Sequence, residues 1–283
     1  MPGDWLLLVV PGLIWGASFL FIAEGLRALG PSGVAFIRIC AGFLTLALFP
    51  RAHRRVERGD WAAVAWLGVL WFAFPLTLFP YAEQRVSSAL TGMLNGANPL
   101  FATMVASYMA KRLPSRGVLA GLAVGIAGAA LMAVPALGAG HSSAMGVVLI
   151  LVALTSYGLA LNIAHGLQAK YGGVPVIWRA QGIGILLTAP AGLHDVAGAQ
   201  WSLVPVLSLI ALGAFGTGIA YVVLAAAAGR FGAVRASGTT FLIPVVALVL
   251  GMSILHEHVA LLSAIGGLVC LAGAWLMKHA AHS

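Results

Sequence analysis

The sequence predicts an all-α, polytopic membrane protein, and two observations support this fold class. Of the 283 residues, 61% are hydrophobic and 8% are charged, and the mean hydropathy is +1.02. A soluble domain is nearer half apolar and a quarter charged, so this chain needs lipid as its solvent. The apolar runs are also continuous rather than alternating, which favours transmembrane helices over the strands of a membrane barrel.

Ten apolar runs fit the length of the chain. A bilayer core about 30 Å thick needs about 20 helical residues per crossing, so ten crossings use about 280 residues with short loops. The predicted spans of the first half are 5–26, 31–50, 61–80, 86–109 and 117–135. Those of the second half are 145–165, 174–192, 203–227, 232–254 and 260–277. The first run is too long for a signal-peptide core and is predicted to be a retained span.

Basic residues predict the orientation of these spans. With the N-terminus inside, eleven of the fifteen Lys and Arg residues fall on the inner side, and only Arg27 and Arg85 fall outside. The inner set is Arg51, Arg54, Arg55, Arg58, Lys111, Arg112, Arg116, Lys170, Arg230, Arg235 and Lys278, while Arg38 and Arg179 lie within spans. This bias predicts cytoplasmic termini and an inner-membrane location. The net charge of +8 then reflects topology, and no nucleic-acid partner is expected.

The two halves of the chain share a sequence pattern. At an offset of 145, Pro99 aligns with Pro244, and at an offset of 141, Arg38 aligns with Arg179. A unit of five spans crosses the membrane an odd number of times, so two such units must insert in opposite orientations. Inverted repeats are typical of secondary transporters, which hold substrate near the bilayer midplane between the halves. The predicted repeats are residues 1–137 and 144–279.

Short motifs run in order along nearly the whole chain. They are Trp15-Gly16-Ala17-Ser18-Phe19, Pro31 with Arg38, the stretch from Ala82 to Phe101, Gly218-Ile219-Ala220-Tyr221, and the segment from Leu242 to Glu257. Together they resemble the drug/metabolite transporter superfamily, and within it the EamA-type ten-helix transporters. The resemblance implies a two-repeat bundle that transports small metabolites such as amino acids, often outward. Many relatives end the fourth span with a Glu where this chain has Lys111-Arg112, so a role of that carboxylate does not carry over.

Polar side chains inside the apolar spans are the candidates for substrate binding. Asn95 and Asn98 lie near the middle of the fourth span, just before Pro99, which frees a backbone carbonyl. These amides either contact substrate or bond across helices as packing contacts. Arg38 lies about 10 Å into its span, where a charge is costly. It therefore binds a substrate carboxylate, pairs with Glu24 or snorkels to the outer interface.

Aromatic side chains near the middle of spans are predicted to wall a central cavity. An interface belt is the alternative for such residues, and it is the preferred interpretation for Tyr81 near a span end. The predicted substrate-binding residues are Trp15, Arg38, Asn95, Asn98, Tyr157 and Tyr221. Asn162 and Arg179 are weaker candidates in the second half.

Glu24 is the predicted coupling residue. It lies near the outer end of the first span and could approach Arg38 across the first hairpin. Proton uptake by Glu24 when this pair opens would couple transport to a proton gradient, whereas a static ion pair is the alternative. Glu83 and Glu257 are the other carboxylates that the sequence places at the membrane edge.

No catalytic residue, metal site or cofactor is predicted. The acidic residues do not pair near the midplane, no Cys, His or carboxylate cluster has metal-ligand spacing, and no nucleotide-binding motif occurs. A secondary transporter is the leading hypothesis, with a passive facilitator and a membrane-embedded enzyme as alternatives. The glycines of 121–130 and 265–273 predict close helix packing or a homodimer face.

Overall fold

The computed structural model describes residues 5–232 and 236–280, and within these ranges it consists of helices joined by turns, without strands. The first half contains α1 (Leu6–Gly25), α2 (Pro31–Ala47), α3 (Trp61–Leu67), α4 (Phe74–Glu83), α5 (Ser88–Asn95), α6 (Asn98–Ala110) and α7 (Arg116–Gly138). The second half contains α8 (His141–Tyr171), α9 (Gly173–Ala197), α10 (Leu203–Ala211), α11 (Ala220–Phe231), α12 (Leu242–Ser253) and α13 (Leu261–Ala280). The all-helical class predicted from composition is confirmed.

Seven helical stretches of the described chain are long and apolar enough to cross a membrane. They are Leu6–Gly25, Arg58–Glu83, Arg116–Gly138, Ser143–Tyr171, Gly173–Ala197, Leu203–Phe231 and Leu261–Ala280. Two further apolar helical stretches, Pro31–Ala47 and Gly238–Ser253, are shorter than a full span. With α5 and α6, these segments correspond to the ten predicted runs, although residues 233–235 of the run 232–254 lie outside the described residues. The number of crossings stays a prediction, as does the inverted-repeat arrangement.

Two of the long stretches contain a π-helical segment, Gly68–Ala73 between α3 and α4 and Leu212–Ile219 between α10 and α11. A π segment shifts the hydrogen-bond ladder and leaves a backbone carbonyl available to another partner. Ser156 Oγ of α8 donates to the carbonyl of Leu70 at 2.8 Å. Trp15 Nε1 of α1 donates to the carbonyl of Gly216 at 2.9 Å. Each π segment is thus bound by the first long helix of the other half.

The predicted fourth span is broken near its middle. α5 ends at Asn95 and α6 begins at Asn98, with Pro99 in its first turn, where the missing N–H removes no helical hydrogen bond. The predicted span 86–109 therefore consists of two helices, because the chain turns at residues 96–97. In the second half, a 3₁₀ turn precedes α12, whose third residue is Pro244. The aligned prolines thus follow irregular backbone in both halves.

α7 and α13 pack along each other through their glycines. A Cβ added at Gly128 would lie 2.2 Å from the amide nitrogen of Cys270, and one added at Gly273 would lie 2.2 Å from that of Gly125. Only residues without a Cβ allow backbones to approach this closely. The two glycine stripes therefore contact each other within the chain, as predicted for close packing. The homodimer stays a separate prediction that the structure does not test.

Charged side chains collect at opposite ends of the helix bundle. We call one the acidic end, defined by Glu24, Glu83, Asp195 and Glu257. We call the other the basic end, defined by residues 51–58, Lys170, Arg179 and Lys278. In the predicted orientation the acidic end lies outside and the basic end lies in the cytoplasm.

Candidate functional site

A cavity of about 510 Å³ lies between the helices of the two halves. All six residues predicted to bind substrate line it, namely Trp15, Arg38, Asn95, Asn98, Tyr157 and Tyr221. The lining continues toward the basic end as far as Lys278 in the last turn of α13. No Asp or Glu among the described residues lines the cavity. The structure therefore brings the predicted residues together, while their role in binding remains a prediction.

Arg38 is buried in α2 and bonded to the other half of the chain. It is 7% exposed, and its Nε donates to Oγ1 of Thr217 in the second π segment at 2.8 Å. A guanidinium carries five N–H donors, and within the described chain only the one on Nε is bonded to a protein atom. Because Arg38 also lines the cavity, its other donors can serve a bound anion.

Arg38 does not pair with Glu24, so that prediction is wrong. Both oxygens of Glu24 accept from Nη1 of Arg27 at 3.2 Å, one helical turn away on the same segment. Neighbours at i and i+3 meet on a helix surface, and this local partner satisfies the carboxylate before any contact across the hairpin is needed. Glu24 lies outside the cavity lining as well. Its proposed coupling role loses the contact on which it depended.

Asn95 and Asn98 flank the break between α5 and α6. Oδ1 of each amide is shielded from solvent and accepts no hydrogen bond from a described residue. Leaving a buried acceptor unpaired costs about 1–3 kcal/mol, so these atoms gain free energy when a donor binds. The break in the helix thus leaves two buried amide oxygens without a donor beside the cavity that both residues line.

Aromatic rings form the apolar part of the cavity wall. The Tyr221 ring packs edge-on against Trp15 and Trp71, with centroid distances of 5.4 Å and 5.8 Å. The Tyr157 ring lies 5.8 Å from the ring of Phe79. Edge-on pairs stabilise such a cluster beyond the area that they bury. The result is a rigid apolar wall beside the polar groups.

Sequence reasoning missed Trp71, Phe79 and Lys278 in the lining. The two aromatics stand in an apolar span without a polar neighbour, so no sequence signal separates them from ordinary core residues. From the sequence alone, Lys278 indicates only that the last span ends on the cytoplasmic side. Its presence in the lining adds a second cation beside Arg38, and only the fold reveals this.

The weaker candidates have structural contacts outside the cavity. Asn162 Nδ2 donates to the carbonyl of Gly158 at 2.8 Å, one turn back on α8. Arg179 Nη1 donates to the carbonyl of Ala52 at 3.0 Å, which ties α9 to the loop after α2. Tyr81 is exposed, and its hydroxyl lies 3.2 Å from that of Ser32, again away from the cavity.

Two stretches of the chain, residues 2–134 and 144–278, match the EamA-like transporter family. The chain belongs to this family. The match covers both halves, and it confirms the resemblance to EamA-type transporters that the motifs indicate. Membership also means that the cavity described above lies in a transporter of the membrane rather than in an ordinary soluble domain.

Individual relatives extend this family assignment. “Uncharacterized transporter YdfC” of Bacillus subtilis is 29% identical over 268 residues, which are 92% of this chain and 86% of that protein. “Probable terminal-alkyne amino-acid exporter” of Streptantibioticus cattleyicolor is 27% identical over 277 residues, covering 96% and 92% of the two chains. A solved structure described as “Crystal structure of protein” has a TM-score of 0.64 and 14% identity, covering 98% of this chain and 96% of that one. That similarity shows a shared fold.

Proposed function

We propose that this EamA-like protein is a secondary transporter that exports small polar metabolites such as amino acids across the inner membrane. The observation that carries the proposal is the convergence of Arg38, the two unpartnered amide oxygens and an aromatic wall in one cavity. Family membership supports transport rather than catalysis. The relative named as an amino-acid exporter supports this substrate class.

The cavity matches the chemistry of a zwitterionic amino acid. Arg38 offers a guanidinium to the carboxylate, and such charge-assisted hydrogen bonds are among the strongest available. Oδ1 of Asn95 and of Asn98 accept from the ammonium group, and the rings of Trp15 and Tyr157 contact an apolar side chain. Two cations and no described carboxylate line the cavity, so an anionic or zwitterionic substrate is favoured over a cation.

Alternating access around this cavity follows from two inverted repeats of five helices, which we place at residues 1–137 and 144–279. The paired π segments and the paired irregularities before Pro99 and Pro244 support this arrangement, because each occurs in the same order in both halves. Both termini are cytoplasmic in this proposal. The cavity then extends toward the cytoplasm, which is the side on which an exporter loads.

The orientation has a direct test. A single cysteine at Ala139 is expected to react with a membrane-impermeant thiol reagent from outside the cell, and one at Arg54 only from inside. The native Cys40 and Cys270 must first be replaced by Ala, since both are free thiols. Labelling on the opposite sides would reject both the orientation and an exporter that loads through the Lys278 end.

Transport itself is tested by exchange of labelled solutes in proteoliposomes. We expect exchange of neutral amino acids with apolar side chains, but not of nucleosides or amines. Asn95→Leu and Asn98→Leu should each reduce exchange about tenfold or more, the cost of losing one hydrogen bond to a charged group. Asn162→Leu is the matched control and should keep wild-type exchange, because Asn162 does not line the cavity.

The alternatives give different results in the same experiment. A passive facilitator equilibrates the solute but does not accumulate it when a pH gradient is applied. A membrane-embedded enzyme returns a chemically altered solute. Wild-type exchange by folded Asn95→Leu and Asn98→Leu variants would remove the substrate site from this cavity.

A further inference from the structure

Glu83 ends α4 at the acidic end, and its carboxylate lacks a hydrogen-bond donor. Both oxygens are shielded from solvent, and neither accepts a hydrogen bond from a residue that the structure describes. Arg85, two residues on, donates instead to the carbonyl of Tyr81 at 2.6 Å. Burial of an ionised carboxylate without a donor is costly, whereas the neutral acid tolerates the same place far better. The geometry therefore suits a protonated Glu83.

Glu257, the neighbouring carboxylate at the acidic end, has two hydrogen-bond donors. Its Oε1 accepts from the backbone N–H of Ser88 and its Oε2 from that of Ala89, both at 2.8 Å. These residues open α5, where free N–H groups and the helix dipole stabilise a negative charge. The two side chains are close enough to interact electrostatically. Two adjacent carboxylates with donors for only one of them favour a single negative charge.

The other ionisable groups on the elements around α4 do not pair with Glu83. Arg38 of α2 acts on it through space but is bonded to Thr217, and Arg27 in the turn after α1 is paired with Glu24. Neither α5 nor the segment Gly68–Ala73 contains an ionisable residue. The ionisable residues of α8 are His141 at its exposed start, Tyr157 in the cavity, and His165, Lys170 and Tyr171 toward the basic end. Tyr81 of α4 itself contacts the Ser32 hydroxyl.

We infer that Glu83 is a proton-binding switch of the acidic end, neutral while that end is closed and ionised when it opens. Opening moves Glu257 away from the first turn of α5 and brings both carboxylates into contact with water. On closing, a carboxylate oxygen of Glu83 takes up one proton from the solution at the acidic end, which removes the repulsion between the two groups. On opening, Glu83 returns this proton to the same solution. The inference rests on the proposed transport function, and it makes the pH at the acidic end the quantity that sets the conformation.

A consequence follows for the direction of transport. Acid at the acidic end stabilises the closed conformation described here, in which the cavity extends toward the basic end. With the acidic end outside, an acidic exterior therefore favours the conformation that loads from the cytoplasm. Proton binding and export are linked through one side chain at the closed end.

Infrared spectroscopy tests this site without any substrate. Difference spectra of the purified protein in lipid, recorded between acidic and alkaline pH, should show the C=O band of a protonated carboxyl group that titrates. Glu83→Gln should lose this band, and Glu24→Gln, the matched control, should keep it. A band that survives in Glu83→Gln would overturn the inference, and this outcome is independent of whether amino acids are the substrate.

A second test measures whether a thiol in the cavity can be labelled by a reagent added at the acidic side. Ser18→Cys, introduced after Cys40→Ala and Cys270→Ala, places a thiol in the cavity lining. Its labelling by an impermeant reagent added at the acidic side should increase with pH, because ionised Glu83 favours opening. Glu83→Gln should abolish this pH dependence, and Glu24→Gln should retain it. A pH dependence that persists in Glu83→Gln contradicts the assignment.

Transport assays provide a third test, and they distinguish the role of Glu83 from the proposed substrate class. Glu83→Gln should keep amino-acid exchange but lose the dependence of the exchange rate on the pH at the acidic end. An exchange rate in Glu83→Gln that depends on this pH as in wild type would reject Glu83 as the proton site. If the wild-type protein exchanges no amino acid, the proposed substrate is wrong, while the infrared and labelling results still decide the role of Glu83.

Discussion

The two ends of the bundle are held by different kinds of contact. At the acidic end, carboxylates accept from backbone N–H groups at helix starts: Glu257 binds the start of α5, and Oδ2 of Asp195 accepts from the N–H of Gly33 in the first turn of α2 at 3.0 Å. At the basic end, Nζ of Lys170 lies 2.7 Å from a carboxylate oxygen of Glu57 and 3.1 Å from one of Asp60. Both kinds of contact join the two halves of the chain.

These contacts differ in strength because they differ in exposure. The side chains of Lys170 and Glu57 are 48% and 69% exposed, and ion pairs of this kind contribute about 0–1 kcal/mol and weaken with salt. Carboxylates on the N–H groups of a helix start form directional, charge-assisted bonds and gain from the helix dipole. The cavity extends toward the basic end, which has the weaker contacts, and the inferred closed end is the one with the stronger contacts.

The sequence pattern explains why the strong contacts occur at one end only. The offsets that align the halves pair Asp195 with Arg54 and Glu257 with Arg112. An arginine has no acceptor, so it cannot bind the N–H groups of a helix start. The same basic residues on which the predicted orientation rests thus leave the basic end without an equivalent of the Glu257 contact. The predicted topology and the contacts at the two ends depend on the same positions.

Removal of Glu257 should give the largest effect. Glu257→Ala deletes two charge-assisted hydrogen bonds, which we expect to destabilise the closed acidic end by roughly 3 kcal/mol. The rate at which the Ser18→Cys reporter is labelled from the acidic side should therefore increase, because the acidic end opens more often. Glu57→Ala at the basic end is the matched control and should leave the labelling rate within about twofold of wild type, since its ion pair is exposed. Equal rates for the two variants would mean that Glu257 does not hold the closed end.

Removal of Asp195 should have an intermediate effect. Asp195 replaces the capping side chain that Gly30 lacks at the start of α2, and it makes one described bond to Gly33. We expect Asp195→Ala to lower stability by about 1.5 kcal/mol and to lower the thermal unfolding midpoint in detergent. Asp195→Asn retains an acceptor oxygen and should recover most of the loss. An unchanged midpoint in Asp195→Ala would show that the α2 start needs no partner.

The cavity was more predictable than the contacts that close it. Trp15, Arg38 and Asn95 stand out in the sequence because polar and aromatic groups within apolar spans require a reason to be there. The bond from Ser88 to Glu257 joins residues 169 positions apart, so it depends on which span ends meet. No local pattern carries that information.

The Glu24 error has the same origin. The sequence predicted a contact across the first hairpin, which requires the register of two helices, and it overlooked the pair with Arg27 at i and i+3, which requires only helical spacing. The break at residues 96–97 is a further example. Pro99 predicts irregular backbone in this span, but whether the helix kinks or is interrupted by a turn depends on the packing around it.

Helix caps offer a smaller test of the same comparison, because a serine caps one helix at each end. Ser87 Oγ accepts from the N–H of Leu90 at 3.2 Å at the start of α5, and Ser115 Oγ accepts from that of Val118 at 3.4 Å at the start of α7. Ser87→Ala should lower stability by about 1 kcal/mol and increase labelling of the cavity reporter. Ser115→Ala should lower the unfolding midpoint by no more than Ser87→Ala and leave labelling unchanged. A reversed order would place the tighter closure at the basic end.

The smallest effect is expected for Lys170→Ala at the basic end. This change removes both ion pairs, to Glu57 and to Asp60, but all three side chains are partly exposed and already hydrated. We expect a loss of about 0.5 kcal/mol that disappears in concentrated salt, since screening weakens the wild-type pairs as well. The measurement is the thermal unfolding midpoint of wild type and variant at low and high ionic strength, with cavity labelling from the acidic side in parallel. Labelling should not change, because the acidic end does not depend on this contact. A salt-independent loss as large as that of Glu257→Ala would show that the basic end is held as firmly as the acidic one, and the difference between the two ends would then not explain which of them is closed.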